Sequence, residues 1–378
     1  MRQAHLIAAL AERAEVHLLV SGELGDDQVR RAVTSVKELT VHDDDWSGRH
    51  RALRRSRDLW LATGSSQPRE VAPYGPVRRV MADHIDRFDG DAVVIETAGL
   101  APLVRRRRRV GQVWIVDLHN VGSQMAAQEA AVTPGPRQRW LYTRDAAKAR
   151  RWQNAALAPY DRIVTVSDDD RRLLSPDLPV SVVGNGVDGR EFRVTPIPAA
   201  PDLVFIGALH TGPNVDGVRW FCTEILPRVV AAEPETTVTV VGARPTGRVA
   251  ALDALPGVRV AADVASTVPY LQSARVALVP LRIGSGTRLK ALEALAAGRP
   301  VVGTSIGLAG LGMEGGRHAL VADDPASFAE SVVRLLRDDD LAARLAVEGR
   351  ALVDRHYDWR RIGRHFADLV FSTIEPVS

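Results

Sequence analysis

The densest chemistry in this 378-residue chain lies in one stretch, Val279-Pro-Leu-Arg-Ile-Gly-Ser-Gly-Thr-Arg-Leu-Lys-Ala-Leu-Glu-Ala-Leu-Ala-Ala-Gly-Arg-Pro-Val-Val302. It reads as strand, glycine loop, helix, strand. Gly284 and Gly286, on either side of Ser285, let the backbone approach a ligand. A helix over Thr287–Ala297 follows, opening with unpaired N–H groups and the positive end of its dipole. Arg288 and Lys290 fall in its first turn, where cations are unfavourable unless an anion offsets them. A diphosphate satisfies loop, dipole and cations together. Glu293 stands about two turns past Gly286, where its carboxylate can accept from a vicinal diol such as a ribose. A glycine pair alone would mean only a tight turn; the added Arg, Lys and spaced Glu turn the reading to anion binding.

The lysine stands out because 46 of the 49 basic residues are Arg, leaving only Lys37, Lys148 and Lys290. Three other polar residues close apolar runs in the first half: Glu96, Asp117 and His119. Asp117 reads as a loop-capping carboxylate, Glu96 as an ordinary strand-end acid, and His119, by itself, as a histidine satisfied by a backbone carbonyl. The histidines are scattered without a His-x-x-x-His or Cys/His cluster, so a zinc site has no ligands in the sequence. The single cysteine, Cys222, fits a reducing compartment and no disulfide scaffold.

These residues need a scaffold. Apolar residues at 46% and charged residues at 25% describe an ordinary globular chain of about two domains. No apolar run reaches the roughly 18 residues a membrane span needs, and the N-terminal stretch, broken by Glu12 and Arg13, is no secretory signal. From residue 13 onward short β-branched runs alternate with helical patterns, which argues parallel sheets with crossover helices. Expected strands are Val16–Ser21, Ala92–Glu96, Val113–Asp117, Arg162–Val166 and Val180–Val183, then Asp202–Ala208, Thr237–Val241, Val258–Ala261, Arg275–Pro280, Pro300–Thr304 and Ala319–Val321. The proline-rich Thr195–Pro201 reads as a linker between residues 1–195 and 196–356, with 357–378 a closing helix that crosses back to the first domain. In such open sheets ligands sit beyond the carboxyl ends of the strands, in a cleft between the domains. The chain opens inside what reads as a first crossover helix, so the first N-terminal strand is expected to be absent: either the domain is built around that absence or a leading strand and turn of about 15 residues is lacking from the sequence.

The segment GSGTRLKALEALAAGRPVV resembles the donor-site signature of family 4 glycosyltransferases of the GT-B fold, in the branch with a Gly-Gly-Thr-Arg-type loop. Asp117-Leu-His-Asn120, Gly184-Asn-Gly-Val-Asp188, Phe205-Ile-Gly-Ala-Leu209 with Pro213-Asn-Val-Asp216, and Tyr357-Asp-Trp359 fit in the same order. The resemblance implies two Rossmann-like domains and a retaining, metal-free transfer of a sugar from a nucleotide-sugar donor to an unidentified acceptor. By it Gly284–Thr287 and Glu293 bind the nucleotide, with Glu293 on the ribose, Arg288 and Lys290 carry the diphosphate charge, and His119 touches the donor sugar. Ser285 stands where the family's first Glu would fall, and Ala208 and Leu209 where its Arg and Lys would follow Phe-x-Gly. Those departures keep open a second reading, a nucleotide-sugar-binding protein on the same fold that has lost turnover. No cofactor is expected beyond the donor. Arg105–Arg109, the one dense basic block, comes with no nucleic-acid motif and reads as a solvated loop or a contact with an anionic membrane. The expected location is cytoplasmic, at most peripheral to the membrane's inner face.

Overall fold

A computed structural model describes residues 2–21, 23–39, 75–103, 109–132, 135–284 and 288–374. The chain divides into two compact units, residues 1–184 with 360–378, and residues 185–359.

In the first unit helix α1 (Arg2–Ala11) leads into β1 (His17–Ser21), which pairs in parallel with β2 (Ser35–Leu39). A second parallel sheet holds β3 (Ala92–Ile95), β4 (Val113–Leu118), β5 (Arg162–Thr165) and β6 (Val180–Val182), in that order. Among the described residues no strand joins the two sheets. Strand β4 is covered on both faces, and Trp114, Ile115 and Val116 are wholly buried, as a near-continuous apolar run in a parallel sheet requires. Helix α2 (Gly122–Val132) follows β4, and α3 (Pro136–Leu157) comes next with its proline in the first turn.

The second unit is a single parallel sheet in the order β12-β11-β10-β7-β8-β9, built from β7 (Asp202–Ile206), β8 (Thr237–Gly242), β9 (Val258–Ala262), β10 (Val276–Val279), β11 (Val301–Gly303) and β12 (Leu320–Val321). The chain starts in the middle at β7, runs outward through β8 and β9, then returns to the other side of β7 as β10. The order therefore reverses between β7 and β10, where an open α/β sheet presents its ligand crevice. Helix α4 (Gly212–Trp220) follows β7 and α5 (Leu289–Ala296) follows β10.

The division falls between Gly184 and Asn185, ahead of the proline stretch read as a linker. The physical reason is arginine. Arg299, wholly buried, donates to the carbonyls of Thr195 and Pro196, and Arg275 donates to that of Pro198 at 3.1 Å. Prolines lack an N–H but keep a carbonyl, and these carbonyls tie the stretch to the second unit. Val187 N–H donates to the Tyr357 carbonyl at 2.8 Å, and Val187 and Phe192 sit in that unit's core. Helix α6 (Trp359–Ile374) runs into the first unit, where Gly363 lies so close to α1 that a Cβ there would come 2.8 Å from that of Ala9. Among the described residues no helix is long and apolar enough to cross a membrane.

Candidate functional site

The second unit gathers its chemistry at the carboxyl ends of β7 and β10. Lys290 lies in the first turn of α5 and Asn214 in the first turn of α4, and Lys290 Nζ donates to Asn214 Oδ1 at 2.5 Å. The ammonium also stands 4.2 Å from the centroid of the Phe205 ring on β7, a cation–π contact. Gly207, just past β7, makes this approach possible, since a Cβ there would lie 2.7 Å from Asn214 Nδ2 and 2.9 Å from Lys290 Nζ. Burial draws the Lys290 ammonium down to about 7, with Glu293 opposing the shift and Arg288 adding to it. Burial pushes the Glu293 carboxyl up to about 7, with Glu191 adding to the shift and Lys290 opposing it. The pair, three residues apart on one helix face, thus titrates near neutrality, and an anion arriving there would restore the lysine's charge.

Arg288 is not in the first helical turn as the sequence suggests. It is the residue before Leu289, and its buried guanidinium packs against Gly284, where a Cβ would lie 3.2 Å from Nη2. Ser285, Gly286 and Thr287 lie outside the described residues, as does the Arg105–Arg109 run except for Arg109. Asp216 and Arg282 form a two-pronged pair at 3.0 and 2.7 Å, with the guanidinium over the Trp220 ring, which fixes the segment ahead of Gly284 against α4.

The first unit places its polar residues at the ends of β3 and β4. These strands are paired with Ile95 opposite Val116, so Glu96 and His119 emerge side by side, His119 Nε2 lying 3.1 Å from Glu96 Oε2. Burial, reinforced by Asp117, raises the Glu96 carboxyl, and its hydrogen bond to His119 pulls the other way. Asp117 does not cap a loop. It is wholly buried, and its two oxygens accept from Arg2 Nε at 2.8 Å and Arg2 Nη2 at 2.9 Å, while Arg2 Nη1 donates to the Gly184 carbonyl at 2.7 Å. Glu96, Asp117 and His119 bring one possible ligand atom each within 4.8 Å of one another. The cluster has no signature in the sequence because the three residues come from the ends of two strands. Its chemistry favours a hydrogen-bond network over a metal centre: both Asp117 oxygens are already engaged by a guanidinium, whose charge would stand beside any cation bound there.

Asn214, Gly207 and Arg2 are residues the sequence did not single out for a role, and Glu96 read there only as an ordinary strand-end acid. Asn214 and Gly207 lay inside segments that carried the resemblance, and Arg2 had no signal at all.

Residues 200–338, which contain the whole Lys290 constellation, match the family model described as Glycosyl transferases group 1. The uncharacterized 44.6 kDa protein in the cps region of Klebsiella pneumoniae is 23% identical over 169 residues, 43% of this chain and 44% of that protein. The match thus spans less than half of that curated relative. Among solved structures, sucrose-phosphate synthase of Thermosynechococcus elongatus superposes with a TM-score of 0.70 at 16% identity, covering 97% of this chain and all of that one. HepE of Anabaena in complex with UDP and glucose gives 0.68 at 13% identity, with 98% and 96% covered. The Escherichia coli trehalose-6-phosphate structure bound with UDP-2-fluoro glucose gives 0.67 at 15%, with 100% and 96% covered. The fold is GT-B.

Proposed function

We propose that the chain is a family 4-type glycosyltransferase that moves a sugar from a nucleotide-sugar donor to an acceptor, with retention at the anomeric carbon and without a metal. The observation that carries this reading is the half-buried lysine at the β7/β10 switch point, hydrogen-bonded to a neutral amide, on a helix that also carries Glu293. A half-buried ammonium facing an amide invites an anionic ligand. The match over residues 200–338 and the nucleotide-bound likenesses support a sugar nucleotide as that ligand, with a UDP-sugar the first donor to test.

In this reading Gly284–Thr287 lie along the diphosphate, Arg288 and Lys290 hold its charge, Glu293 accepts from the ribose, and His119 meets the donor sugar. The bond between the anomeric carbon and the phosphate oxygen breaks, its electrons pass to the distal phosphate, and an acceptor hydroxyl oxygen bonds to the anomeric carbon from the same face, its proton going to the departing phosphate oxygen. Cations there stabilise the transition state more than the ground state, which raises turnover. A same-face displacement needs no enzyme base, so Asp117 is free to serve Arg2. Reducing surroundings, a cytoplasmic location and contact of the Arg105–Arg109 run with an anionic membrane complete the proposal. Ser285, in place of a family carboxylate, favours the second reading of a donor-binding protein without turnover.

The test is calorimetry with UDP, GDP and dTDP in EDTA. Binding of at least one at micromolar to millimolar strength is expected, and binding only after a divalent ion is added sinks the metal-free reading. Release of free nucleotide from the matching sugar nucleotide then separates an enzyme from a binding protein.

A further inference from the structure

The amide of Asn214 is used at both ends. Its Nδ2 donates to the Ala208 carbonyl at 3.0 Å, and its Oδ1 accepts from Lys290 Nζ at 2.5 Å. The first bond fixes the second: a flipped amide would turn Nδ2 toward the ammonium and Oδ1 toward a carbonyl, two repulsive contacts. Thr211 also donates its hydroxyl to the Ala208 carbonyl at 3.0 Å, so the loop that orients the amide is itself tied down. Asn214 and Lys290 belong to the helices after β7 and β10, neighbouring strands, and their bond joins the two helix starts where Gly207 has no side chain.

The partner's neutrality matters. Among the described residues the amide oxygen is the one hydrogen-bond acceptor given to Lys290 Nζ. An amide aims an ammonium without cancelling its charge and leaves further N–H groups for a ligand. A carboxylate at this position would aim it equally well but neutralise it. The charged groups around Lys290 are Arg288 and Glu293 on its own segment, with Glu191 beyond Glu293. A bound anion would add counter-charge to Lys290 beyond what Glu293 supplies.

We propose that Asn214 is a positioning residue that holds the Lys290 ammonium, aimed but not neutralised, for an incoming diphosphate. The proposal rests on the donor-site reading above. Its experiment compares the parent, Asn214→Ala and Asn214→Asp for binding of UDP, with GDP and dTDP alongside, in EDTA between pH 6 and 9, with thermal melting as a control of folding.

In the parent, affinity falls as pH rises past about 7, because the free protein loses the Lys290 proton that the bound diphosphate favours. Asn214→Ala binds roughly tenfold more weakly at pH 7, the size of one lost hydrogen bond to a charged group, and its decline begins at lower pH. Asn214→Asp keeps Lys290 charged to higher pH, so its affinity is flat from pH 7 to 9 yet below the parent's at pH 7, since the carboxylate repels the diphosphate. A merely structural tie to Ala208 is lost in both variants and predicts the same outcome for both, with the parent's pH profile. That result, or tighter binding by Asn214→Asp than by the parent, overturns the proposal. If the parent binds none of the three nucleotides, the donor-site reading falls and this inference with it.

Discussion

The two units handle buried charge in opposite ways. In the first, each carboxyl group at the strand ends has a fixed hydrogen-bond partner: Asp117 in Arg2, and Glu96 in His119. In the second, Lys290 faces an amide, and the carboxyl that acts on it, Glu293, is itself pushed toward neutrality by burial. The sheets differ in the same sense. The second unit has six strands in one sheet over a continuous core, whereas the described strands of the first fall into two sheets. Charge compensated from within stabilises a fold, and charge left uncompensated beside a rigid sheet marks a place for a ligand.

The largest expected effect sharpens the first half of that contrast. Arg2→Met leaves the wholly buried Asp117 without its guanidinium, which should destabilise the first unit by about 3–5 kcal/mol. Denaturant unfolding with hydrogen exchange resolved by unit would place the loss in residues 1–184; a loss below about 1 kcal/mol would mean the pair is not structural. Next is Lys290→Ala. It should lower turnover by about 10²-fold or more while weakening nucleotide binding at most tenfold, as loss of a charge-stabilising donor does. Unchanged turnover would hand the task to Arg288 or to no side chain.

A smaller effect concerns pH. Glu293 ordinarily titrates at 4.5 and is raised to about 7, so between those values the folded protein holds a proton that the unfolded chain has released. Its contribution to stability is therefore fully present below 4.5 and lost as pH rises through about 7. Lys290, lowered from 10.5 to about 7, runs the other way: its contribution is present above 10.5 and lost as pH falls through about 7. Glu293→Gln should thus melt higher than the parent at pH 8 and at nearly the same temperature at pH 4.5. Equal melting at both values would mean the carboxyl is well solvated. The smallest effect is at Glu96. Glu96→Gln keeps the shape but weakens the hold on His119, so turnover should fall less than about tenfold with nucleotide affinity unchanged; a change in affinity would contradict the separation of roles.

Much of this architecture was legible in the sequence, because parallel strands covered on both faces are written as plain apolar runs. Val113–Leu118 and Val276–Val279 are examples. Strand β2 was not, since Ser35-Val-Lys-Glu-Leu39 pairs with a single neighbour and carries mostly exposed, polar side chains. Helix α2 was missed because its sequence, Gly-Ser-Gln-Met-Ala-Ala-Gln-Glu-Ala-Ala-Val, is rich in alanine and has little apolar contrast between faces. The proline stretch misled because prolines punctuate local structure, while the arginines that fasten it, Arg275 and Arg299, lie far along the chain. Lys290 and Glu293 could be found by their spacing. Their partners could not, since Asn214 meets Lys290 across 76 positions and Arg2 meets Asp117 across 115.

The central claim is that the second unit's uncompensated lysine awaits a nucleoside diphosphate. Hydrogen–deuterium exchange with and without saturating UDP, GDP or dTDP in EDTA tests it most directly. The account predicts slowed exchange in 202–220 and 288–296, the segments that carry Phe205, Asn214, Lys290 and Glu293, for at least one nucleotide. Binding that leaves both segments unchanged, or that protects only residues 1–184, would contradict it.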